Sequence, residues 1–191
     1  MNLPNKITLA RVELIPIFMI VLMCGAHFEM PYYALISAVI FAIASFTDGV
    51  DGHIARSRGL ITDFGKFMDP LADKLLVSTA LICFIQLDWI PAYMAVIIIA
   101  REFIVTGLRT IAASKGIVMA AIMTGKIKTV IQMIAIICTM LFAHGFSFLP
   151  DLGTVCGYPS IVFVTMAVST VFTIYSGYEY IARNVDLIKD M

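Results

Sequence analysis

Six mostly apolar runs follow one another through the chain, at 7–25, 32–56, 65–87, 91–114, 124–143 and 159–182. About 20 such residues suffice for a helix to cross the hydrocarbon core of a bilayer, which is ~30 Å thick. The runs therefore predict an all-α polytopic membrane protein: six transmembrane helices, short loops, and a short interfacial segment at the N-terminus. Composition agrees, because 61% of the 191 residues are hydrophobic and only 14% are charged, far outside the range of a soluble domain. A single membrane domain spanning 1–191 uses the whole length. No cleavable signal is expected, since the first run follows only Lys6 and Arg11 and has no small-residue cleavage site before further spans begin.

Charge is balanced in number, 13 Lys and Arg against 13 Asp and Glu, but not in position. Six spans make 26–31, 88–90 and 144–158 the outer loops, and these hold Glu29, Asp88 and Asp151 without any Lys or Arg. Lys6, Arg11, Arg56, Arg58, Lys66, Lys115, Lys126, Lys128, Arg183 and Lys189 fall at or near the opposite side. The positive-inside rule then puts both termini in the cytoplasm. Basic groups spread over a membrane face, with no aromatic-interleaved strip, exclude a nucleic-acid binder. Cys24, Cys83, Cys138 and Cys156 have no metal-ligand spacing and read as packing residues.

Against this apolar background one stretch stands out, DGVDGHIARSRGLITDFGKFMDPLAD, from Asp48 to Asp73. Residues three and four apart share a helix face, so Asp48, Asp51, Gly52, Ala55 and Arg56 form one stripe and Gly65, Asp69 and Asp73 another. The short polar link SRGLITDF between them suits an antiparallel turn. By helical rise, Asp48 lies ~24 Å along its span from Tyr32, and Asp73 ~21 Å from Leu87. Four carboxylates thus fall at one depth, near the cytoplasmic edge. They repel one another unless cations sit between them. Hard divalent ions, Mg²⁺ or Mn²⁺, prefer such oxygens, and two ions balance four aspartates. A two-metal site of this kind grips a diphosphate and offsets charge at a transferred phosphorus. Arg56 can add a phosphate contact, while Gly52 and Gly65 allow a bulky group near the helix backbones.

Other polar groups sit within the spans. In the opening MNLPNKITLAR, Pro4 can start a helix. Its polar residues admit two readings, a surface anchor with a snorkelling Arg11 or a wall of the site built from Asn5, Thr8 and Arg11. Pro16 should kink the first span or separate the anchor from it. Arg101 lies near mid-bilayer and needs a partner, either Glu102 or an aspartate, unless it contacts a ligand. Arg109 shares its face nearer the cytoplasm and is better placed for a soluble anion. The fifth span opens TGKIKT, with Thr124 as a possible cap. Lys126 and Lys128 then stand at the helix end that disfavours cations, which suggests an external anion or else ordinary positive-inside lysines. Arg109, Lys126 and Lys128, with Lys115 and Arg101 behind them, are the candidate pocket for an acceptor's phosphate.

From Asp48 to Asp73 the chain resembles the CDP-alcohol phosphatidyltransferase signature DxxDGxxAR…GxxxDxxxD at every fixed position. NLPNKITLAR, DPLADKLLVSTA, REFIVTGLR and GKIKT extend the likeness to the family's bacterial phosphatidylglycerophosphate synthase branch. The resemblance implies a six-helix enzyme of the bacterial cytoplasmic membrane, usually a homodimer among membrane lipids, with its active site on the cytoplasmic side. Such an enzyme moves a phosphatidyl group from CDP-diacylglycerol to an alcohol and releases CMP. In this branch the acceptor is sn-glycerol 3-phosphate. Carried across, Asp48, Asp51, Asp69 and Asp73 hold the metals, Asp69 and Asp73 are catalytic with Asp73 the candidate base, and Gly52, Arg56 and Gly65, with Asn5 and Thr8, accommodate CDP. Inositol phosphate or phosphatidylglycerol are alternative acceptors. From another class, intramembrane carboxylates also mark cation transporters, but transport does not call for Gly52, Arg56 and Gly65 at this spacing.

Overall fold

A computed structural model describes the backbone of 3–57, 63–114, 122–143 and 153–185, and the side chains of these except 3–8, 48–57, 63–70 and 114. Among the described residues the regular structure is helical apart from one small hairpin. In order come α1 (Leu3–His27), α2 (Tyr33–Ser57), α3 (Asp63–Gln86), α4 (Ala92–Ser114), α5 (Met123–Phe142), β1 (Thr154–Val155), β2 (Tyr158–Pro159) and α6 (Ser160–Arg183). The helices follow the apolar runs to within a few residues. Leu9–His27, Met123–Phe142 and Ser160–Arg183 are long and apolar enough to cross a membrane, and Tyr33–Thr47 is a shorter apolar stretch. Large apolar side chains also face outward, among them Ile20, Ile43, Phe46, Ile82, Val96, Val130 and Val171, while Arg11, Lys128, Gln132 and Thr173 are buried. Large apolar side chains left facing outward, with several polar ones buried among an otherwise apolar core, are the arrangement of an integral membrane protein.

The described residues divide into two compact units, one holding α1, α2 and α3, the other α4, α5, the hairpin and α6. In the first, α1 packs along both α2 and α3, which also touch each other. Phe18 and Phe41 meet across α1 and α2 with ring centroids 5.8 Å apart. Nearer the connection, Gly25 lies against Tyr33 so closely that any side chain would collide with the tyrosine Cβ and Cγ. Pro16 lies inside α1 without ending it, so anchor and span are one helix. The snorkelling reading of Arg11 does not hold: the residue is 1% exposed. It lies on the same stripe as Ile15, Phe18 and Leu22, all buried, and that stripe faces protein.

In the second unit α6 packs on both α4 and α5. Its buried face carries Ser169, Thr170, Thr173, Ser176 and Gly177, small residues that let helices approach closely. The Thr170 hydroxyl donates to the Met166 carbonyl at 2.8 Å, and Thr173 to that of Ser169 at 2.7 Å. At the start of α5 the expected cap is absent. Ile122 occupies the cap position without a side-chain bond, and Thr124 lies within the first turn. The β1–β2 hairpin is an addition to the expected loop. Val155 pairs with Tyr158, leaving Cys156 and Gly157 as a two-residue turn with φ of 54° and 85°. Two consecutive positive φ values match a type I′ turn, whose twist suits antiparallel strands. The four cysteines are free thiols, Cys24 and Cys156 exposed, Cys83 buried and Cys138 half-buried.

Candidate active site

The aspartates are distributed over two touching helices of the first unit. Asp48 and Asp51 lie on α2 less than one turn apart, and Asp69 and Asp73 lie on α3 one turn apart. Gly52 and Arg56 follow on α2, and Gly65 precedes Asp69 on α3. Asn5 and Thr8 belong to α1, which contacts both helices. For Asp48, Asp51, Asp69, Gly52, Arg56, Gly65, Asn5 and Thr8 only the helical backbone is described, so their placement is one of register. Asp73 is half-buried. The donor set fits divalent cations, because carboxylate oxygens in pairs on adjacent helices are the ligands that Mg²⁺ and Mn²⁺ take.

The cationic residues of the second unit divide into two groups. Deeper lies a three-helix cluster. Lys128 of α5, 2% exposed, is ion-paired with Glu102 Oε1 of α4. The same oxygen accepts from Arg101 Nη1 at 3.1 Å. Arg101 Nη2 in turn donates to Ser176 Oγ of α6 at 2.8 Å. The Arg101 stem lies on Gly177, where a Cβ would be 3.1 Å from its Cγ. One carboxylate therefore serves two cations, and the set retains one positive charge. Of the partners left open for Arg101, the structure supplies Glu102.

Arg109 forms the second group. Its Nε donates to Tyr180 Oη at 3.1 Å, and the guanidinium lies 5.2 Å from the centroid of that ring, within cation–π range. Lys126 is exposed at the start of α5, and Lys115 lies outside the described residues. Ser176 and Tyr180 were not expected at this site. Tyr175 and Tyr178 of the same helix are exposed. Tyr180 is 2% exposed, since one turn after Ser176 it falls on the buried face of α6. That four-residue spacing from Ser176 was the available signal.

Residues 1–175 match the family described as CDP-alcohol phosphatidyltransferase. The chain belongs to the CDP-alcohol phosphatidyltransferase family. Among curated relatives, the CDP-diacylglycerol–glycerol-3-phosphate 3-phosphatidyltransferase of Bacillus subtilis (strain 168) is 48% identical over 98% of this chain and 97% of its own length. The protein of the same name from Rickettsia bellii (strain RML369-C) is 33% identical over 94% of this chain and 93% of its own. A probable phosphatidylglycerophosphate synthase of Mycobacterium tuberculosis (strain ATCC 25618 / H37Rv) is 36% identical over 95% of this chain and 81% of its own. The aspartate helices α2 and α3 lie inside the span matched to the phosphatidyltransferase family, as do the Arg101–Glu102–Lys128 cluster and Arg109.

Proposed function

We propose that this protein transfers the phosphatidyl group of CDP-diacylglycerol to sn-glycerol 3-phosphate, giving phosphatidylglycerophosphate and CMP. The observation that carries this reading is similarity over nearly the whole length to relatives of that name, at 48% identity in one case. In support, the chain has all four aspartates of the signature, on two adjacent helices. Six spans, a bacterial cytoplasmic membrane location, cytoplasmic termini and active site, one membrane domain and a homodimer complete the proposal.

In this reading Asp48, Asp51, Asp69 and Asp73 hold two Mg²⁺ or Mn²⁺ ions. Such ions, when bound, polarise the diphosphate oxygens and offset the charge on the departing CMP. Gly52 and Gly65 leave room for the nucleotide, and Arg56, Asn5 and Thr8 contact it. A hydroxyl of the acceptor forms the new bond to the phosphatidyl phosphorus while the bond to the CMP oxygen breaks. Asp73 takes the proton of that hydroxyl. Arg109 and Lys126 bind the acceptor's phosphate, with Lys128, Arg101 and Lys115 supplying charge behind them. Arg101 and Lys128 share Glu102, which suits them to a supporting role.

Incubating purified protein with labelled CDP-diacylglycerol and, separately, glycerol 3-phosphate, inositol phosphate or phosphatidylglycerol decides the reaction. Metal-dependent CMP release with phosphatidylglycerophosphate as product is expected for the first acceptor alone. Turnover only with another acceptor overturns the substrate, and no CMP release with any of them overturns the enzyme reading.

A further inference from the structure

Buried positions recur along α1 at Arg11, Ile15, Phe18, Leu22 and Gly25, and along α2 at Tyr33, Ser37, Phe41 and Ala44. Steps of three and four residues keep each set on one helix face. Two contacts fix the register between them, Gly25 against Tyr33 and Phe18 against Phe41. Moving two turns from the phenylalanine pair, back along α1 and forward along α2, leads to Arg11 and Asp48. Arg11 therefore occupies the α1 position level with the first of the four aspartates.

Arg11 is 1% exposed, although a guanidinium stays protonated in any protein environment. A charge so buried is retained only where opposite charge compensates it. Four carboxylates closing on one depth face the converse problem when no cation is bound. We propose that Arg11 is a positioning residue of the carboxylate site: its fixed charge compensates Asp48 and its neighbours in the metal-free protein and opposes the entry of divalent cations. The inference rests on the proposed reading of the aspartates as a divalent-cation site. It gives α1 an electrostatic role that the family signature, confined to α2 and α3, does not contain.

The test is titration of the purified full-length protein with Mn²⁺, following free ion by electron paramagnetic resonance, alongside thermal unfolding with and without metal. Arg11→Met is expected to bind Mn²⁺ at least tenfold more tightly than the unsubstituted protein, and to unfold at lower temperature without metal, with saturating Mn²⁺ narrowing that gap. Arg11→Lys, which keeps the charge, should stay within about threefold in affinity, since only a tenfold change marks a loss of ~1.4 kcal/mol. Unchanged or weaker Mn²⁺ binding in Arg11→Met overturns the proposal, as does Arg11→Lys behaving like Arg11→Met. If Arg11→Met fails to fold, adding Asp48→Asn should restore folding by removing the second charge, and failure to restore it overturns the proposal. If the unsubstituted protein binds no Mn²⁺, the metal reading falls by itself. The Arg11–Asp48 coupling is then judged from the melting temperatures of the two single variants and the double, where simple additivity refutes it.

Discussion

Gly25→Ala tests whether the register between α1 and α2 rests on the contact that defines it. A Cβ at residue 25 would lie 2.9 Å from Tyr33 Cγ and closer still to its Cβ. The Tyr33 Cβ is fixed by the α2 backbone, so no rotamer change relieves its contact. Reaching ordinary contact requires α1 to recede by about 1 Å, and overpacking of this kind costs ~1–3 kcal/mol. Helix propensity acts the other way, favouring alanine over glycine by ~1 kcal/mol. Gly107 on α4 provides the control, since a Cβ there meets nothing within 4 Å and only the propensity gain should appear. The expected difference between Gly25→Ala and Gly107→Ala is ~1–3 kcal/mol, several degrees in melting temperature for a chain of this size. Parallel thermal unfolding in one detergent measures it. Equal stabilities would refute the claim that glycine is required for close approach at residue 25.

Three further outcomes are expected. Glu102→Ala should destabilise the fold by ~3–5 kcal/mol, as for a buried pair broken on one side; Glu102→Ala with Lys128→Met should recover a measurable part of that, and a double-mutant cycle on unfolding checks it. Asp51→Asn or Asp69→Asn should abolish CMP release while leaving the melting temperature near that of the parent, and Asp73→Asn with substantial turnover would remove Asp73 as the base. Arg109→Ala should raise the KM for the phosphorylated acceptor tenfold or more with little change for CDP-diacylglycerol, and equal shifts in both would remove it from the acceptor pocket.

Helix positions were legible because apolar runs long enough to cross a bilayer leave little freedom of assignment. The aspartate pairs were legible too, since three- and four-residue spacing sets a helix face regardless of context. Partners across helices were not. Nothing local says that Lys128 reaches Glu102, twenty-six positions earlier, or that Tyr180 takes Arg109 while Tyr178 faces outward. Arg11 misleads for a related reason: an arginine near the end of an apolar run has the same local pattern whether it snorkels or is buried, and only the faces of α1 in contact with α2 and α3 decide. Thr124 failed as a cap because the α5 boundary falls two residues earlier than the threonine requires, with Ile122 at the cap position. The hairpin at 154–159 is short, and a Cys-Gly pair is a weaker turn signal than Asn-Gly.

The seam of α6 bears on how the chain assembles. Thr165, Thr170 and Thr173 each bond a carbonyl of their own helix, so these hydroxyls are satisfied without α4 or α5. A segment of this kind enters lipid alone at low cost and docks afterwards, in two stages. Arg101 finds Glu102 on its own helix, but its other bonded partner, Ser176, comes from α6, and Lys128, which shares Glu102 with it, from α5. Docking of α6 therefore supplies the hydroxyl that completes the hydrogen bonding of Arg101, and a chain truncated before Ser160 should leave α4 less stably packed.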